Sequence, residues 1–490
     1  MDRRTFLAGI AVAAGTAATG VLTAAPKPVS KKPNILFFLA DDQRNDTLGC
    51  AGHPFVKTPN IDRLAADGLR FKNAFVITSI CMVSRANILT GTAGRTHCVL
   101  TRAPEVKPDA LRETYPLELR KAGYRTGYVG KWHVRAAGFK PADQFDVYHQ
   151  IFRHPYFKKQ PDGTKRHTAE VIGDHAVKFL QSQPADKPFC LSIGFNTAHA
   201  EDGDKRPGIG HFPWPKAVDG MYEDRKMPLP RLGDAKIYDS QPDFLKKSIN
   251  RVRYFWRWNT PEKYQTNMRA YFRMLTGMDG VIGRVLKELK KQGLADNTIV
   301  VYMADNGYYM GDRGFAGKWS HYEQSLRVPM IIHDPRLPKA QRGRVLDPMA
   351  LNIDLPSTFL DWAGVKPPAS YQGRSLAPIV NGKTPQWRDD FFCEHLHLHP
   401  TLTWEGVRNK RYIYARYFDQ DPAYEFLHDL EKDPDQLTNF AGDAKYADIL
   451  SKMRRRCAEL VKQHGGPMPP MDQRTRKRKK KRKPKPARKK

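Results

Sequence analysis

Four short apolar runs in this chain each end in residues that ionise or bind metal. The run Asn34–Ala40 leads into Asp41-Asp42, and residues 124–129 lead into Gly130-Lys131-Trp132-His133. Residues 189–195 lead into Asn196-Thr197-Ala198-His199, and residues 298–303 lead to Asp305-Asn306-Gly307. Asp41, Asp42, Asp305 and Asn306 offer only oxygen donors, which suits a hard cation, Ca²⁺ or Mg²⁺, rather than Zn²⁺. Adjacent carboxylates repel unless a cation offsets them. A separate segment, Cys81-Met82-Val83-Ser84-Arg85, places a thiol just before an expected helix start, with Ser84 as the capping residue. A helix N-terminus lowers a thiol pKa and attracts oxyanions, and Arg85 adds a fixed cation with a planar fork for a tetrahedral anion.

These groups can act together only if the elements bring them together. Short β-rich runs alternate with helical spacing over 59–69, 111–122 and 268–294, which predicts an α/β fold with a mostly parallel central sheet flanked by helices. In such sheets ligands bind beyond the carboxyl ends of the strands, so four reactive strand ends predict one site. From about residue 370 the pattern changes. Short strands at 391–393, 412–414 and 425–427 and a closing helix at 446–464 predict a small C-terminal antiparallel-sheet subdomain. The division is a catalytic domain over 30–368, a C-terminal subdomain over 369–466 and a basic tail over 467–490. Residues 200–265 read as an insertion beside the site, rich in Pro, cations and Trp. Lys205, Arg206, His211, Trp214, Arg251, Arg253, Trp256 and Trp258 suit a substrate subsite or pack as an ordinary surface insertion.

Of the 490 residues, 36 are Gly and 37 are Pro, consistent with many loops. The six Cys form no CxxC pair, which excludes a zinc ribbon or thioredoxin-like site. The net charge is +31, and residues 474–490 carry 13 Lys or Arg and no acid, so the rest of the chain is also strongly basic. A basic body favours an anionic partner such as a sulfated or phosphorylated glycan, nucleic acid or an anionic membrane. The tail has no aromatic residues for base stacking, so no specific nucleic-acid recognition is expected; it could hold a polyanion. The opening Arg3-Arg4-Thr5-Phe6-Leu7, an Ala/Gly-rich stretch and Thr23-Ala24-Ala25 predict a twin-arginine signal peptide over 1–25. The mature protein is then periplasmic or extracellular. No later apolar run is long enough to span a bilayer.

The Cys81 segment resembles the signature of the formylglycine-dependent sulfatases of the alkaline-phosphatase superfamily. Cys81, Ser84, Arg85, Leu89, Thr90 and Gly91 match it. Further matches follow in the family's order: Asp41-Asp42, Gly130-Lys131-Trp132-His133, Asp305-Asn306-Gly307, Gly317-Lys318, Tyr322-Glu323, Arg327-Val328-Pro329, and Asp429 to Pro434. Val83 stands where the family usually has Pro, and Ala200 departs from the usual continuation of the His motif.

The resemblance implies an alkaline-phosphatase-like large domain and a sulfuric-ester hydrolase acting on sulfated carbohydrate. It implies that a maturation enzyme oxidises Cys81 to formylglycine (3-oxoalanine), whose hydrate attacks sulfur. It implies Ca²⁺, in preference to Mg²⁺, on Asp41, Asp42, Cys81, Asp305 and Asn306. Arg85 and Lys131 would stabilise the hydrate and developing charge, and His133 would be the base that helps expel sulfate. His199 and Lys318 would hold the ester and serve the leaving oxygen. Two other readings compete. One is a phosphodiesterase or phosphonate hydrolase of the same superfamily; the other is a non-catalytic sulfated-glycan-binding protein with an unmodified Cys81.

Overall fold

The computed structural model describes residues 32–99, 105–203, 210–396 and 402–468. The signal-peptide reading, Lys205, Arg206 and the basic tail from 469 onward lie outside the described residues.

The expected α/β architecture is present. The central sheet has eight strands: β1 (Asn34–Ala40), β2 (Leu69–Phe71), β3 (Arg125–Gly130), β4 (Val147–Gln150), β5 (Phe189–Gly194), β6 (Thr298–Ala304), β7 (Met330–His333) and β8 (Arg344–Leu346). They lie in the order β8-β2-β7-β6-β1-β5-β3-β4, and only β7 runs antiparallel to its two neighbours. β1, β5 and β6 are buried at every position, the pattern of strands covered on both faces.

Register brings the reactive ends together. Ala40 of β1 is opposite Ala304 of β6, and Leu39 is opposite Gly194 of β5. Gly194 is in turn opposite Gly130 of β3, and Gly130 opposite Gln150 of β4. Five strands therefore end level on one edge, and Asp41, Lys131, Asn196, Asp305 and the chain after Gln150 all emerge there.

Helices cover both faces: α1 (Pro59–Ala66), α2 (Cys81–Thr90), α3 (Tyr115–Lys121), α4 (Thr168–Gln181), α5 (Ile249–Arg257), α6 (Pro261–Lys291) and α7 (Asp354–Trp362). Three differ from the spacing-based limits. α1 stops at Ala66 because the apolar residues from Leu69 belong to β2. α3 begins only at Tyr115, since residues 108–111 form a separate 3-10 turn led by Pro108. α6 begins seven residues before 268, at Pro261, where Thr260 accepts from the Lys263 amide and Pro occupies the first turn.

The C-terminal sheet is β9 (Asp390–His395), β10 (Trp404–Asn409), β11 (Tyr412–Tyr417) and β12 (Tyr424–Asp429), antiparallel throughout, with helix α8 (Ala447–Gln463) packed on it. β10 has no counterpart among the sequence-derived strands. Its Trp-Glu-Gly-Val-Arg-Asn mixes charge and Gly into the run, which hides the alternation. No helix among the described residues is long and apolar enough to cross a membrane.

Candidate active site

The edge formed by β1, β3, β5 and β6 carries a closely paired set of charges. Asp41 and Asp42 follow β1 directly, and Asp305 and Asn306 follow β6. All four are buried. Lys131 Nζ donates to Asp41 Oδ2, and Lys318 Nζ donates to Asp42 Oδ1. Arg85 Nε donates to Asp305 Oδ2 at 2.7 Å, and its other nitrogens reach the Lys131 carbonyl at 2.6 Å and the Phe195 carbonyl at 3.2 Å. Asn306 Nδ2 donates to Asp42 Oδ1 at 2.6 Å. Tyr271 of α6 donates to the Asp42 carbonyl at 2.9 Å, anchoring a residue whose φ is +51°. His133 has φ +57°. Left-handed conformations of non-Gly residues cluster at functional sites, where the surroundings over-determine them.

Cys81 is the first residue of α2, so the helix starts at the thiol itself. The Ser84 cap is therefore corrected: the flanking residue is Ile80, which makes no side-chain cap, and Ser84 lies inside the helix. Its hydroxyl instead accepts from Asn352 Nδ2 at 2.9 Å. The Cys81 thiol lies 3.2 Å from His133 Nδ1. Burial, with Lys131 and Arg85 nearby, pushes His133 down to about 3, so it is a neutral imidazole with a free lone pair at neutral pH. His199 Nε2 lies 3.7 Å from Asp42 Oδ2, and its Nδ1 lies 2.8 Å from the Ala200 carbonyl. Burial, then Arg153 and Lys318, hold it well below the usual imidazole range.

The residues fit a hard cation. Asp41 Oδ1 and Asn306 Oδ1 are buried oxygen acceptors with no hydrogen-bond partner, whereas most buried polar atoms in folded proteins have one. Ligand atoms of Asp41, Cys81 and Asp305 lie within 4.8 Å of one another, as do those of Asp41, Asp42 and His199. Burial drives Asp305 up to about 7, and facing Asp41 adds to this against the pull of Arg85. Asp41 is held at about 2, because Lys131, Lys318 and Arg85 outweigh its own burial. Carboxylates split in this way are two like charges in one space, which a divalent cation relieves.

The structure thus gathers Asp41, Asp42, Cys81, Arg85, Lys131, His133, His199, Asp305, Asn306 and Lys318 at one edge. It adds Arg153, which the sequence reading missed and whose Nη1 contacts His199 Nδ1. The insertion divides. Trp258 packs in the core, Trp214 is only partly buried, and Trp256 is exposed. Arg253 lies 4.9 Å over the ring of Trp319, next to Lys318.

The chain is similar over most of its length to known proteins. A sulfatase family model matches residues 33–365, and one for the N-sulphoglucosamine sulphohydrolase C-terminal region matches residues 311–463. An N-acetylglucosamine-6-O-sulfatase of Bacteroides thetaiotaomicron is 29% identical, covering 89% of this chain and 88% of its own. A structure solved with its substrate D-glucosamine-2-N,6-O-disulfate superposes with a TM-score of 0.73 at 27% identity, over 89% of this chain and 98% of that one. A phosphonate monoester hydrolase of Agrobacterium radiobacter shares the fold, with a TM-score of 0.72 at 23% identity, over 88% and 96% of the two chains.

Proposed function

The chain belongs to the sulfatase family of sulfuric-ester hydrolases, and from that premise we propose that it is an exported enzyme removing sulfate from sulfated carbohydrates, with a nucleophile built on Cys81 and one divalent cation. The observation that carries this reading is the Cys81 thiol at the start of α2, 3.2 Å from His133 Nδ1 and within 4.8 Å of the Asp41 and Asp305 carboxylates. A sugar substrate is supported by two of the relatives named above, the N-acetylglucosamine-6-O-sulfatase and the protein solved with D-glucosamine-2-N,6-O-disulfate, and by the basic body of the chain.

Asp41, Asp42, Asp305, Asn306 and the Cys81 side chain would hold the cation, Ca²⁺ in preference to Mg²⁺. When bound, it supplies Lewis-acid polarisation of the sulfuryl oxygens. Position 81, converted by a maturation enzyme to formylglycine, would supply a hydroxyl nucleophile once hydrated. His133 Nδ1 accepts a proton from the side chain at position 81, for which its neutral state equips it. Arg85 and Lys131 stabilise negative charge at that position. Lys318 and His199, both directed at Asp42, present donors to the ester and its leaving oxygen. Burial of these groups excludes bulk water and strengthens each of these interactions. Arg3-Arg4 would direct export to the periplasm or beyond, and the tail over 474–490 would contact polyanionic substrate.

The direct test is the mass of the tryptic peptide 73–85 from protein made in a host with the maturation machinery. An aldehyde in place of the Cys81 thiol is expected, with Val83 accepted where relatives have Pro. An unmodified thiol, with no sulfate release, would favour the glycan-binding reading. Faster cleavage of an aryl phosphate than of the matching aryl sulfate would favour the phosphohydrolase reading. Chelation should abolish turnover, and added Ca²⁺ should restore it.

A further inference from the structure

Each inner cation of the site has its own carboxylate: Lys131 has Asp41, Lys318 has Asp42, and Arg85 has Asp305. Arg153 has none. Its Nε and Nη2 lie 3.2 and 3.0 Å from His154 Nε2, and its Nη1 contacts His199 Nδ1. Both partners are imidazoles, and burial together with Arg153 itself disfavours their protonation. Among the described residues no carboxylate lies within ion-pair distance of this half-buried guanidinium. Asp41 and Asp202 act on it only from farther away.

The outer carboxylates are already claimed: Glu201 is held on His154 Nδ1, and Asp202 on two other arginines. Asp202 accepts from Arg253 at 3.2 Å and from Arg257, which is fully buried. Three guanidiniums thus surround one carboxylate. Arg253 Nε is also buried without a partner. A partly buried cation without a counterion is costly, and a guanidinium fork is shaped to take two oxygens of one oxyanion.

The placement indicates what that oxyanion belongs to. β4 ends at Gln150, level with Gly130, so Arg153 emerges at the catalytic edge. It touches His199 on the inside, while the adjacent His154 side chain is 55% exposed, so Arg153 lies at the mouth. The four cations Lys131, Lys318, Arg85 and Arg153 face Asp41, Asp42 and Asp305, with Glu201 beyond them on the far side of the His154 ring. A divalent ion held there would add two positive charges, of which one sulfate monoester, with its single negative charge, offsets one.

We propose that Arg153, supported by Arg253, binds a second oxyanion of the substrate, a sulfate or carboxylate distinct from the ester being cleaved. The preferred substrate is then a sugar carrying at least two negative charges. This inference rests on the sulfatase reading for the identity of the ligand. The second charge could sit on the same sugar or on its neighbour in a chain, and the two sources present the same oxygens to Arg153.

The test measures calorimetric binding to the Cys81→Ala protein, which binds without turnover, alongside wild-type kinetics. The ligands are glucosamine 6-sulfate, glucosamine 2-N,6-O-disulfate, and a uronate-linked glucosamine 6-sulfate disaccharide. At least one dianionic ligand should bind about tenfold or more tighter than the monosulfate, as a charge-assisted bidentate contact provides. Which one gains identifies the source of the second charge. Adding Arg153→Gln should collapse that ratio towards one, and Arg153→Lys should keep part of it. No preference in the parent overturns the inference. So does a preference that survives Arg153→Gln, or an equal loss for every ligand, since Arg153 would then serve only to position His199. A wild type that turns over none of these esters yet keeps the Arg153-dependent preference would defeat the sulfatase reading and leave the anion site standing. An unshifted thermal midpoint in Arg153→Lys separates lost recognition from lost folding.

Discussion

Among the described residues the one imidazole in contact with the Cys81 sulfur is that of His133, 3.2 Å away and kept neutral by its burial beside Lys131 and Arg85. If His133 moves a proton for the side chain at position 81, His133→Gln should keep a polar group of similar size but lose the basic nitrogen. The expected fall in kcat on an aryl sulfate is about 10²–10⁴, the usual range for a general base. The thermal midpoint should move little. An unchanged kcat would remove His133 from the chemistry. Much of this cluster is legible in the chain, because reactive residues directly follow apolar runs and Cys81-x-x-x-Arg85 has the spacing of one helical turn. Arg153 was not legible. Its strand, β4, reads Val-Tyr-His-Gln, too polar and short to register as a strand, so nothing marks Arg153 as a fifth strand-end residue. Ser84 misled for a different reason. Ser favours helix caps, but the helix begins three residues earlier and Asn352 satisfies the hydroxyl.

Strands and helices hold these side chains through a few close approaches. Gly130 ends β3 with φ +106°, and a Cβ there would lie 2.0 Å from the Gly194 carbonyl oxygen. The next amide, of Lys131, donates to that same carbonyl at 2.7 Å. Gly130→Ala therefore carries a left-handed penalty of about 1–2 kcal/mol and forces β3 and β5 apart. It should lower the unfolding midpoint and cut kcat/KM about tenfold or more by displacing Lys131 and His133 together, because a shift of a few tenths of an ångström cannot relieve a clash this close to backbone and even a 1 Å misplacement of reacting groups costs about 10²-fold. A stable, fully active variant would contradict this.

A second joint is Asp279 of α6. Its carboxylate accepts from the Ile61 amide at 2.8 Å and from Asn60 Nδ2 at 2.8 Å, fixing the first turn of α1. Burial raises it from 3.8 to about 6. The folded protein then binds the proton more tightly than the unfolded chain, so the carboxyl's contribution to stability declines as pH rises from about 4 to 6. Asp279→Asn should remove that decline, so the difference between variant and wild-type midpoints should shift in the variant's favour between pH 4 and pH 7. Parallel curves would show that Asp279 binds its proton equally in the folded and unfolded chain, so that burial does not raise it. The length of α6 and the end of α1 were only partly legible, since apolar periodicity does not show where a Pro-led first turn starts or where a helix gives way to a strand.

Across the whole molecule, the C-terminal sheet is tied to the segment that presents Cys81. The Glu394 amide of β9 donates to the Ile77 carbonyl at 2.8 Å, four residues before the thiol, and Trp404 of β10 donates to the Trp319 carbonyl at 2.9 Å, beside Lys318. The change of pattern near residue 370 made the second sheet legible as a unit, but not these ties, which join residues 317 and 85 positions apart. Arg95 is the strongest of them. Its Nε meets Glu394 Oε2 at 2.6 Å, Nη2 meets Glu405 Oε2 at 2.9 Å, and Nη1 reaches the Gly466 carbonyl at 2.9 Å. Arg95→Ala leaves Glu394 charged and unpaired in a place with no solvent access, a loss of about 3–5 kcal/mol for a broken buried pair. The unfolding midpoint in urea should fall accordingly, and activity should fall with it as the Ile77–Cys81 approach loosens. The double variant Arg95→Met, Glu394→Leu removes both charges and should recover most of the stability, because well-packed apolar side chains commonly replace a buried ion pair without loss. If the double variant is as unstable as Arg95→Ala, the stabilisation lies in the packing of Arg95 over the Phe392 ring, 4.7 Å away, and not in its charge. If both variants unfold like wild type, the C-terminal sheet does not depend on Arg95 for its docking.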